Sequence, residues 1–180
     1  MNLELLIIDE FYTDPDKVRD YALSQKFDVK GNYPGLRTKP YLPDDVKAAI
    51  QHWMNPIGPI TNWFESAGYT GSFQIATSFD RTWIHTDFLN NWAGICYLTP
   101  NAPYNSGTGL FRHKSTGLHK RLDKDFEGYD YTKWDLFDQI GNKYNRLILY
   151  RADLFHASLN YFGEGLTDGR LFQTFFFNTN

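Results

Sequence analysis

The spacing of apolar residues predicts a strand and two helices in the N-terminal part of the chain. A first strand is predicted over Leu3–Ile8, and Asp14 can cap a helix in which apolar residues then recur with helical spacing. A second helix is predicted after Pro43, and Asn55 with the following proline ends it. The segment 31–40 between these helices contains two prolines and two glycines, which predicts a loop.

From Ser72 onward the pattern changes to short apolar stretches separated by turn-like residues, which is typical of antiparallel β-structure. The charged segment 113–145 interrupts them and is predicted to be a surface insertion with one short helix near Trp134–Ile140. The whole pattern predicts one domain over residues 1–180, mainly β with N-terminal helices. Residues 1–70 hold the first strand and the helices, and residues 72–178 form a double-stranded β-helix, or jelly roll. The strands predicted after Ser72 are 73–79, 83–88, 92–99, 108–112, 146–152, 156–162 and 170–178.

Composition narrows the classes of protein that fit this pattern. The single cysteine excludes an internal disulfide framework, and the net charge of −3 argues against long nucleic acid as a partner. No apolar run approaches the ~18 residues needed to cross a bilayer, and the first residues lack the basic region of a signal peptide. A cytoplasmic protein that is not bound to a membrane is therefore expected. The 15 phenylalanines, 12 tyrosines and 5 tryptophans are more than one small core needs.

Two histidines and an aspartate in the β-rich part are candidate metal ligands. Residues two apart on a strand point to the same face, so His85 and Asp87 would project together. His156 lies further along, where a later strand begins. Two imidazoles and one carboxylate can occupy one face of an octahedral metal ion and leave three positions open, as in non-haem Fe(II) oxygenases. For the His85 and Asp87 pair alone, a simple hydrogen bond is the alternative interpretation.

The last predicted strand adds a candidate anion-binding residue. Arg170, Phe172, Thr174 and Phe176 share one face of this strand. A guanidinium on an apolar face is very costly to bury without an anion, so either a protein carboxylate or a ligand carboxylate must pair with it. Arginine is well suited to bidentate capture of a carboxylate.

On the residues alone, three classes of function remain open. The first is an Fe(II) oxygenase with a chelating, anionic co-substrate. The second is a zinc-dependent hydrolase that uses the same His-Asp-His set and a metal-bound water. The third is a non-catalytic jelly-roll binding module. Arg170 favours the first class, because neither of the others needs an arginine beside a metal triad.

The set His85-x-Asp87, His156 and Arg170 resembles that of the 2-oxoglutarate/Fe(II)-dependent oxygenases, in their prolyl-4-hydroxylase-like branch. The similarity extends over residues 73–178. This sequence differs from prolyl-4-hydroxylases proper, which have a lysine for the 2-oxoglutarate tail where this chain offers Arg170. Further segments that carry the resemblance are Tyr97-Leu98-Thr99, Gly107–Phe111, Asn145-Arg146-Leu147, Asp14-Pro15 with Val18-Arg19, and Tyr33–Arg37.

The resemblance implies specific roles. His85, Asp87 and His156 would bind Fe(II), and Arg170 would pair with the C5 carboxylate of 2-oxoglutarate. With O2 as the other co-substrate, the reaction would hydroxylate an aliphatic carbon of a small-molecule or peptidyl substrate and release succinate and CO2. Asp87 indicates hydroxylation, because halogenating members of the family have a small residue in its place.

Five further residues are weaker candidates. A second contact to the 2-oxoglutarate tail is expected from Tyr97, Thr174 or Gln74, and Tyr97 is the preferred candidate. Arg112, in a basic triplet at a strand end, could bind an anionic group of the substrate. Arg37, in the Tyr-Pro-Gly-Leu-Arg segment of the predicted loop, could belong to a substrate lid. For each of them, a purely structural role is the alternative.

Overall fold

A computed structural model describes residues 3–65, 69–87, 89–120 and 127–180. Neither α-helix in these residues has the length and apolar character that crossing a bilayer would require. Short 3-10 turns lie at Tyr104–Ser106 and Tyr131–Lys133. The helices are α1 (Pro15–Ser24) and α2 (Asp44–Met54). The strands are β1 (Leu5–Ile8), β2 (Leu36–Arg37), β3 (Ile60–Asn62), β4 (Phe73–Ala76), β5 (Trp92–Tyr97), β6 (Thr108–His113), β7 (Trp134–Ile140), β8 (Leu147–Arg151), β9 (His156–Ser158) and β10 (Arg170–Thr179).

The strands form two antiparallel sheets. The larger sheet has the order β1-β8-β5-β10-β4-β2, and β3 also pairs with β10. The smaller sheet has the order β7-β6-β9. Buried residues of both sheets, such as Ile95 and Phe172 from the larger and Leu110 and Ile140 from the smaller, pack into one cluster. This double-sheet arrangement confirms the predicted jelly roll with N-terminal helices.

The period of two along the central strands separates two apolar layers. On β5, Trp92 and Cys96 face the layer that also contains Ala22 of α1 and Ile50 of α2. The alternate residues of the same strand face the smaller sheet. The helices therefore cover the outer face of the larger sheet, and its inner face is left to line the space between the sheets.

Both predicted helices are confirmed, and each begins where the sequence predicts. The side chain of Asp14 accepts a hydrogen bond from the Lys17 backbone N–H at 3.2 Å, which satisfies one of the donors left free at a helix start. The second helix begins directly after Pro43 and ends at Met54, immediately before the predicted Asn55.

The helix predicted near Trp134–Ile140 is wrong, because these residues form strand β7. Trp134 and Ile140 are buried, and the apolar spacing between them fits a helix as well as a strand. The strand pairs with β6 on the edge opposite β9, and this pairing satisfies backbone groups of both β6 and β7. The segment 113–145 thus contributes a strand to the smaller sheet.

Two other segments also differ from the sequence prediction. The predicted loop 31–40 contains the short strand β2, which pairs with β4. The predicted strand 83–88 is not regular: within its described residues, it makes an isolated bridge between His85 and His156, and Phe88 lies outside the described residues.

An ion-pair network joins the end of β1 to the start of β8. Arg146 donates from Nε to Asp9 Oδ1 at 2.6 Å and from Nη2 to Asp9 Oδ2 at 3.1 Å. Lys143 Nζ lies 2.8 Å from Asp9 Oδ2. Hydrogen bonds from Arg146 and then from Lys143 lower the pKa of Asp9 from 3.8 to about 2.

We therefore expect Asp9→Asn to lower the free energy of unfolding at neutral pH. The side chain of Asp9 is 38% exposed, so screening by solvent limits the expected loss to about 1 kcal/mol. Because the folded-state pKa is depressed, this stabilisation is present above pH 4 and is lost as the pH falls towards 2. Urea denaturation of both proteins between pH 7 and pH 2 measures the difference, which should shrink over that acid range. Asp138→Asn, at an exposed aspartate of β7, is the control; an equal loss in this variant would contradict the role of the network.

Candidate metal centre

Backbone hydrogen bonds bring the three candidate ligands together at one end of the space between the sheets. His85 and His156 exchange two backbone hydrogen bonds, each 2.9 Å long. The backbone N–H of Asp87 donates to the carbonyl of Ala152 at 2.8 Å. These hydrogen bonds hold the segment with His85 and Asp87 against β9, which carries His156, and against the turn before it. The segment is thus positioned although it is not a regular strand.

The orientation of both imidazoles is set by backbone carbonyls. His85 Nδ1 lies 3.0 Å from the carbonyl oxygen of Trp83, and His156 Nδ1 lies 2.9 Å from that of Leu154. A carbonyl oxygen can only accept, so Nδ1 of each ring carries the proton. Nε2 of each ring faces Asp87, and in the neutral ring it is the nitrogen available to a metal ion, which is the arrangement that outer contacts impose on metal-binding histidines.

The three side chains converge on a point that a metal ion could occupy. One ligand atom from each of His85, Asp87 and His156 lies within 4.8 Å of the others. His156 Nε2 is 3.2 Å from Asp87 Oδ2, and His85 Nε2 is 3.9 Å from Asp87 Oδ1. His156 is almost fully buried, whereas His85 and Asp87 are partly open to the cavity. Two imidazole nitrogens and one carboxylate oxygen fit a divalent metal with open positions.

The protonation states in the folded protein also suit metal binding. Burial lowers the pKa of His85, and the charge of His156 lowers it further, so the ring is neutral near pH 7. Burial alone would raise the pKa of Asp87, but the charge of His156 and its hydrogen bond outweigh that effect and the net pKa is lowered. His85 is therefore a neutral imidazole and Asp87 a carboxylate near pH 7, which are the forms that bind metal ions.

The triad opens into two adjoining cavities. The inner cavity, of about 60 Å³, lies between the sheets and is lined by Thr108, Tyr161 and Phe172 among others. The outer cavity, of about 320 Å³, is bounded by aromatic side chains that include Tyr69 and Phe176. His85 and Asp87 line both cavities, so a metal ion between them would be in contact with both spaces.

Arg170 is buried directly behind the lining of the inner cavity. Its side chain is fully buried, and its guanidinium carbon lies 4.4 Å from the ring centre of Phe172. Nε donates to the carbonyl of Ser106 at 2.9 Å, and Nη2 donates to the carbonyl of Gly107 at 3.4 Å. Nη1 has no hydrogen-bond partner among the described residues, and no described carboxylate pairs with the guanidinium. The described residues thus offer backbone carbonyls to this charge but no carboxylate.

Of the three candidates for a second contact to the tail, Tyr97 lies beside Arg170. The Arg170 guanidinium carbon is 5.3 Å from the ring centre of Tyr97, whose hydroxyl is 2.7 Å from Thr108 Oγ1. Burial raises the pKa of Tyr97 despite the neighbouring arginine, so the phenol is protonated and can donate.

Thr174 and Gln74 line the inner cavity, but their polar atoms are already engaged. Thr174 Oγ1 donates to the carbonyl of Tyr69 at 2.9 Å. The side-chain amide of Gln74 donates to the carbonyl of Pro34 at 2.6 Å, and its oxygen accepts from Arg37 Nε at 2.7 Å. Both side chains are therefore hydrogen-bonded within the protein.

The two arginines predicted to meet a substrate have different positions. Arg37 lines both cavities beside the triad. Arg112 is more than half exposed on β6, lies 3.6 Å from Asp135, and lines a separate surface cavity with residues such as His119. The structure therefore brings Arg37, but not Arg112, to the triad.

Sequence reasoning missed several residues that line the cavities. Thr108 faces inward on β6, and the alternation of that strand could have placed it there. Tyr150 faces inward on β8, and its ring centre is 4.7 Å from that of His156. Tyr69 and Tyr161 come from loops, where no periodic signal predicts the direction of a side chain.

Comparison with solved structures identifies the class of fold. HygX from Streptomyces hygroscopicus, with nickel, 2-oxoglutarate and hygromycin B bound, is similar over 98% of this chain and 83% of its own, with a TM-score of 0.64 and 14% identity. A prolyl hydroxylase from Trichoplax adhaerens, in complex with a hypoxia inducible factor peptide, is similar over 97% and 83%, with a TM-score of 0.55 and 11% identity. At such low identity the similarity establishes the shared jelly-roll fold.

The sequence itself matches one family. The family of unknown function DUF6445 matches residues 1–132, so the chain belongs to that family. The match includes His85 and Asp87, and His156 lies beyond it. Among curated protein sequences, no significant match is found.

We expect His156→Ala to abolish tight binding of a divalent metal. Loss of an outer-shell partner typically weakens metal binding about 10- to 100-fold, so loss of a direct ligand should weaken it by at least the upper value. Titration calorimetry of the metal-free protein with Co(II) measures the affinity. His52→Ala, at an exposed histidine of α2, is the matched control. Unchanged Co(II) affinity in the His156 variant would rule out this centre.

Proposed function

We propose that the protein is an Fe(II)- and 2-oxoglutarate-dependent dioxygenase that hydroxylates an aliphatic carbon of a small-molecule or peptidyl substrate. One observation carries this proposal. A His-Asp-His set whose Nε2 and carboxylate oxygen atoms converge on one point lies at the same cavity whose inner wall is backed by Arg170, a buried arginine without a carboxylate partner among the described residues. A metal centre and an unpaired buried cation together fit a co-substrate that is both a chelator and an anion.

Each part of the site has a role in this proposal. His85, Asp87 and His156 would hold Fe(II), and Arg170 would pair with the C5 carboxylate of 2-oxoglutarate. When bound, Fe(II) with 2-oxoglutarate supplies the activation of O2 for hydroxylation, with release of succinate and CO2. Tyr97 would donate a hydrogen bond from its phenol O–H to the same carboxylate. The aromatic walls would exclude water from the reacting centre. The similar fold of HygX, which binds nickel and 2-oxoglutarate, supports this assignment.

A zinc-dependent hydrolase and a non-catalytic binding module are the competing functions. Both could contain the three ligands, but neither accounts for a fully buried guanidinium whose Nη1 has no partner in the described part of the chain. Leaving a buried donor on a charged group unsatisfied is costly. The anion that completes it is therefore the feature that separates the three functions.

The proposal predicts a charge-transfer absorption band when Fe(II) and 2-oxoglutarate are added to the protein without oxygen. The band arises only if 2-oxoglutarate chelates the bound iron, and zinc, which has a filled d shell, gives none. Absorption spectra recorded with Fe(II) alone and then with 2-oxoglutarate measure it. Absence of the band at full iron loading would exclude the proposed function.

We also expect Arg170→Ala to weaken 2-oxoglutarate binding far more than Fe(II) binding. A hydrogen-bonded ion pair to a carboxylate is worth about 1.5–3 kcal/mol, so the affinity for 2-oxoglutarate should fall roughly 10- to 100-fold. Titration of the anaerobic band with 2-oxoglutarate measures the affinity for 2-oxoglutarate, and calorimetry with Fe(II) measures the affinity for Fe(II). Equal losses in both would show that the substitution disturbs the fold instead of an anion contact.

A further inference from the structure

Arg37 is a second buried arginine at the triad, and no described carboxylate forms a direct ion pair with it. The residue is 7% exposed, although it belongs to a two-residue strand near the surface. Nε donates to Gln74 Oε1 at 2.7 Å, and neither Nη1 nor Nη2 has a hydrogen bond to any described residue. Nor does the guanidinium form an ion pair with any described carboxylate. Burial lowers its pKa to about 10, although the charge of nearby Asp87 opposes this shift, so the guanidinium is still charged at neutral pH.

Three aromatic rings surround the guanidinium, which borders both cavities. The guanidinium carbon lies 3.8 Å from the ring centre of Tyr33 and 5.9 Å from that of Phe176. The ring of Tyr69 is 5.5 Å away. Stacking on aromatic faces leaves the in-plane N–H donors of a guanidinium free for a planar anion.

The backbone around Arg37 is fixed before any ligand binds. The backbone N–H and carbonyl of Arg37 both pair with Val29 at 3.0 Å. The preceding loop is held on β4, because Gln74 Nε2 donates to the carbonyl of Pro34 and the Gly35 N–H donates to Asp80 Oδ1 at 3.1 Å. Gly35 has a φ of +72°, and a Cβ there would lie 1.9 Å from the carbonyl oxygen of Ile75. The arginine is therefore preorganised, which lowers the entropic cost of binding a ligand.

The charge and size of the outer cavity limit what this arginine can bind. Arg37 is the only lysine or arginine among the described residues that line it, and Asp87 is the only carboxylate. One guanidinium matches one negative charge, and a dianion such as a phosphate would leave a charge unpaired beside Asp87. The volume of about 320 Å³ is at the lower end of the range for small-molecule sites.

We propose that Arg37 binds the carboxylate of the prime substrate, and that this substrate is a small carboxylic acid with an apolar portion. Tyr69, Phe176 and Trp83, which line the outer cavity, would contact that apolar portion. The carboxylate on Arg37 would fix the distance of the reacting carbon from the triad. Arg37 is thus a specificity-determining residue for the reaction.

This inference rests on the proposed function, because only an enzyme has a substrate. The two buried arginines are assigned to two different anions. Arg170 lies behind the inner cavity, with Tyr97 and Thr108 beside it, and is left for 2-oxoglutarate. Arg37 borders the outer cavity, which 2-oxoglutarate bound at the inner wall would leave open. Substitution of each arginine should therefore affect a different ligand.

The first experiment uses the metal-free protein, so that it does not depend on turnover. Binding of three acids and their amides is measured by calorimetry: 3-phenylpropionate, octanoate and N-acetyl-leucine, each against the matching carboxamide. We expect at least one acid to bind at least tenfold more tightly than its amide, because only the acid can pair with Arg37. If no acid binds the wild-type protein more tightly than its amide, the inference is overturned.

The second experiment assigns the effect to Arg37. Arg37→Gln should abolish the preference for the acid, Arg37→Lys should retain part of it, and Arg112→Gln, at an exposed arginine away from the triad, should retain all of it. Thermal unfolding confirms that each variant folds. If Arg37→Gln does not fold, Arg37→Lys decides: a reduced preference in this variant assigns the effect to Arg37, and an undiminished preference overturns the inference. An undiminished preference in folded Arg37→Gln would overturn the inference.

The third experiment separates this inference from the proposed function. In the Fe(II)-loaded protein without oxygen, Arg37→Gln should leave the affinity for 2-oxoglutarate within about threefold of wild type, whereas Arg170→Ala lowers it by far more. A large loss of 2-oxoglutarate affinity in Arg37→Gln would show that Arg37 binds the co-substrate and would overturn the inference alone. Absence of any charge-transfer band in the wild type would exclude the proposed function, but would leave carboxylate binding by Arg37 in the metal-free protein intact.

Discussion

The two reciprocal backbone hydrogen bonds between His85 and His156 join segments that are far apart in the chain, and the candidate centre depends on them. They do not belong to a regular ladder, so their geometry relies on the sheets around them. The larger sheet positions the turn that receives Asp87 at Ala152, and the smaller sheet carries His156 on β9. A side chain that binds a metal must be held to within a few tenths of an ångström, and here the main chain provides that precision.

Two arginines on the inner face of the larger sheet are buried without an ion-pair partner among the described residues. Arg37 on β2 and Arg170 on β10 are both at least nine-tenths buried, and the described structure gives neither a carboxylate. Elsewhere the same chain pairs its partly buried arginine Arg146 with Asp9 in a bidentate contact. Leaving a cation without a direct partner in an interior lowers stability, so two such residues beside one cavity lower the stability of the ligand-free protein.

Local signals explain what could be predicted from the sequence. Asp14 predicts the start of α1 because a cap acts on its own first turn, and the alternation along β10 predicts that Arg170 and Thr174 share a face. Trp134–Ile140 could not be assigned in this way, because its apolar spacing fits two structures and the neighbouring strand decides between them. The same limit applies to Arg37 and Arg112: whether an arginine has a carboxylate beside it depends on residues brought near only by the fold.

The left-handed backbone at Gly35 has a consequence for how specificity could change. The loop that precedes Arg37 touches the main chain of β4 so closely that no side chain can be accommodated at this glycine. Insertions or a shifted path would break the contacts of Gln74 with Pro34 and Arg37. Substitutions at positions 33 and 37 can therefore alter the wall of the cavities while the backbone of this loop keeps its course.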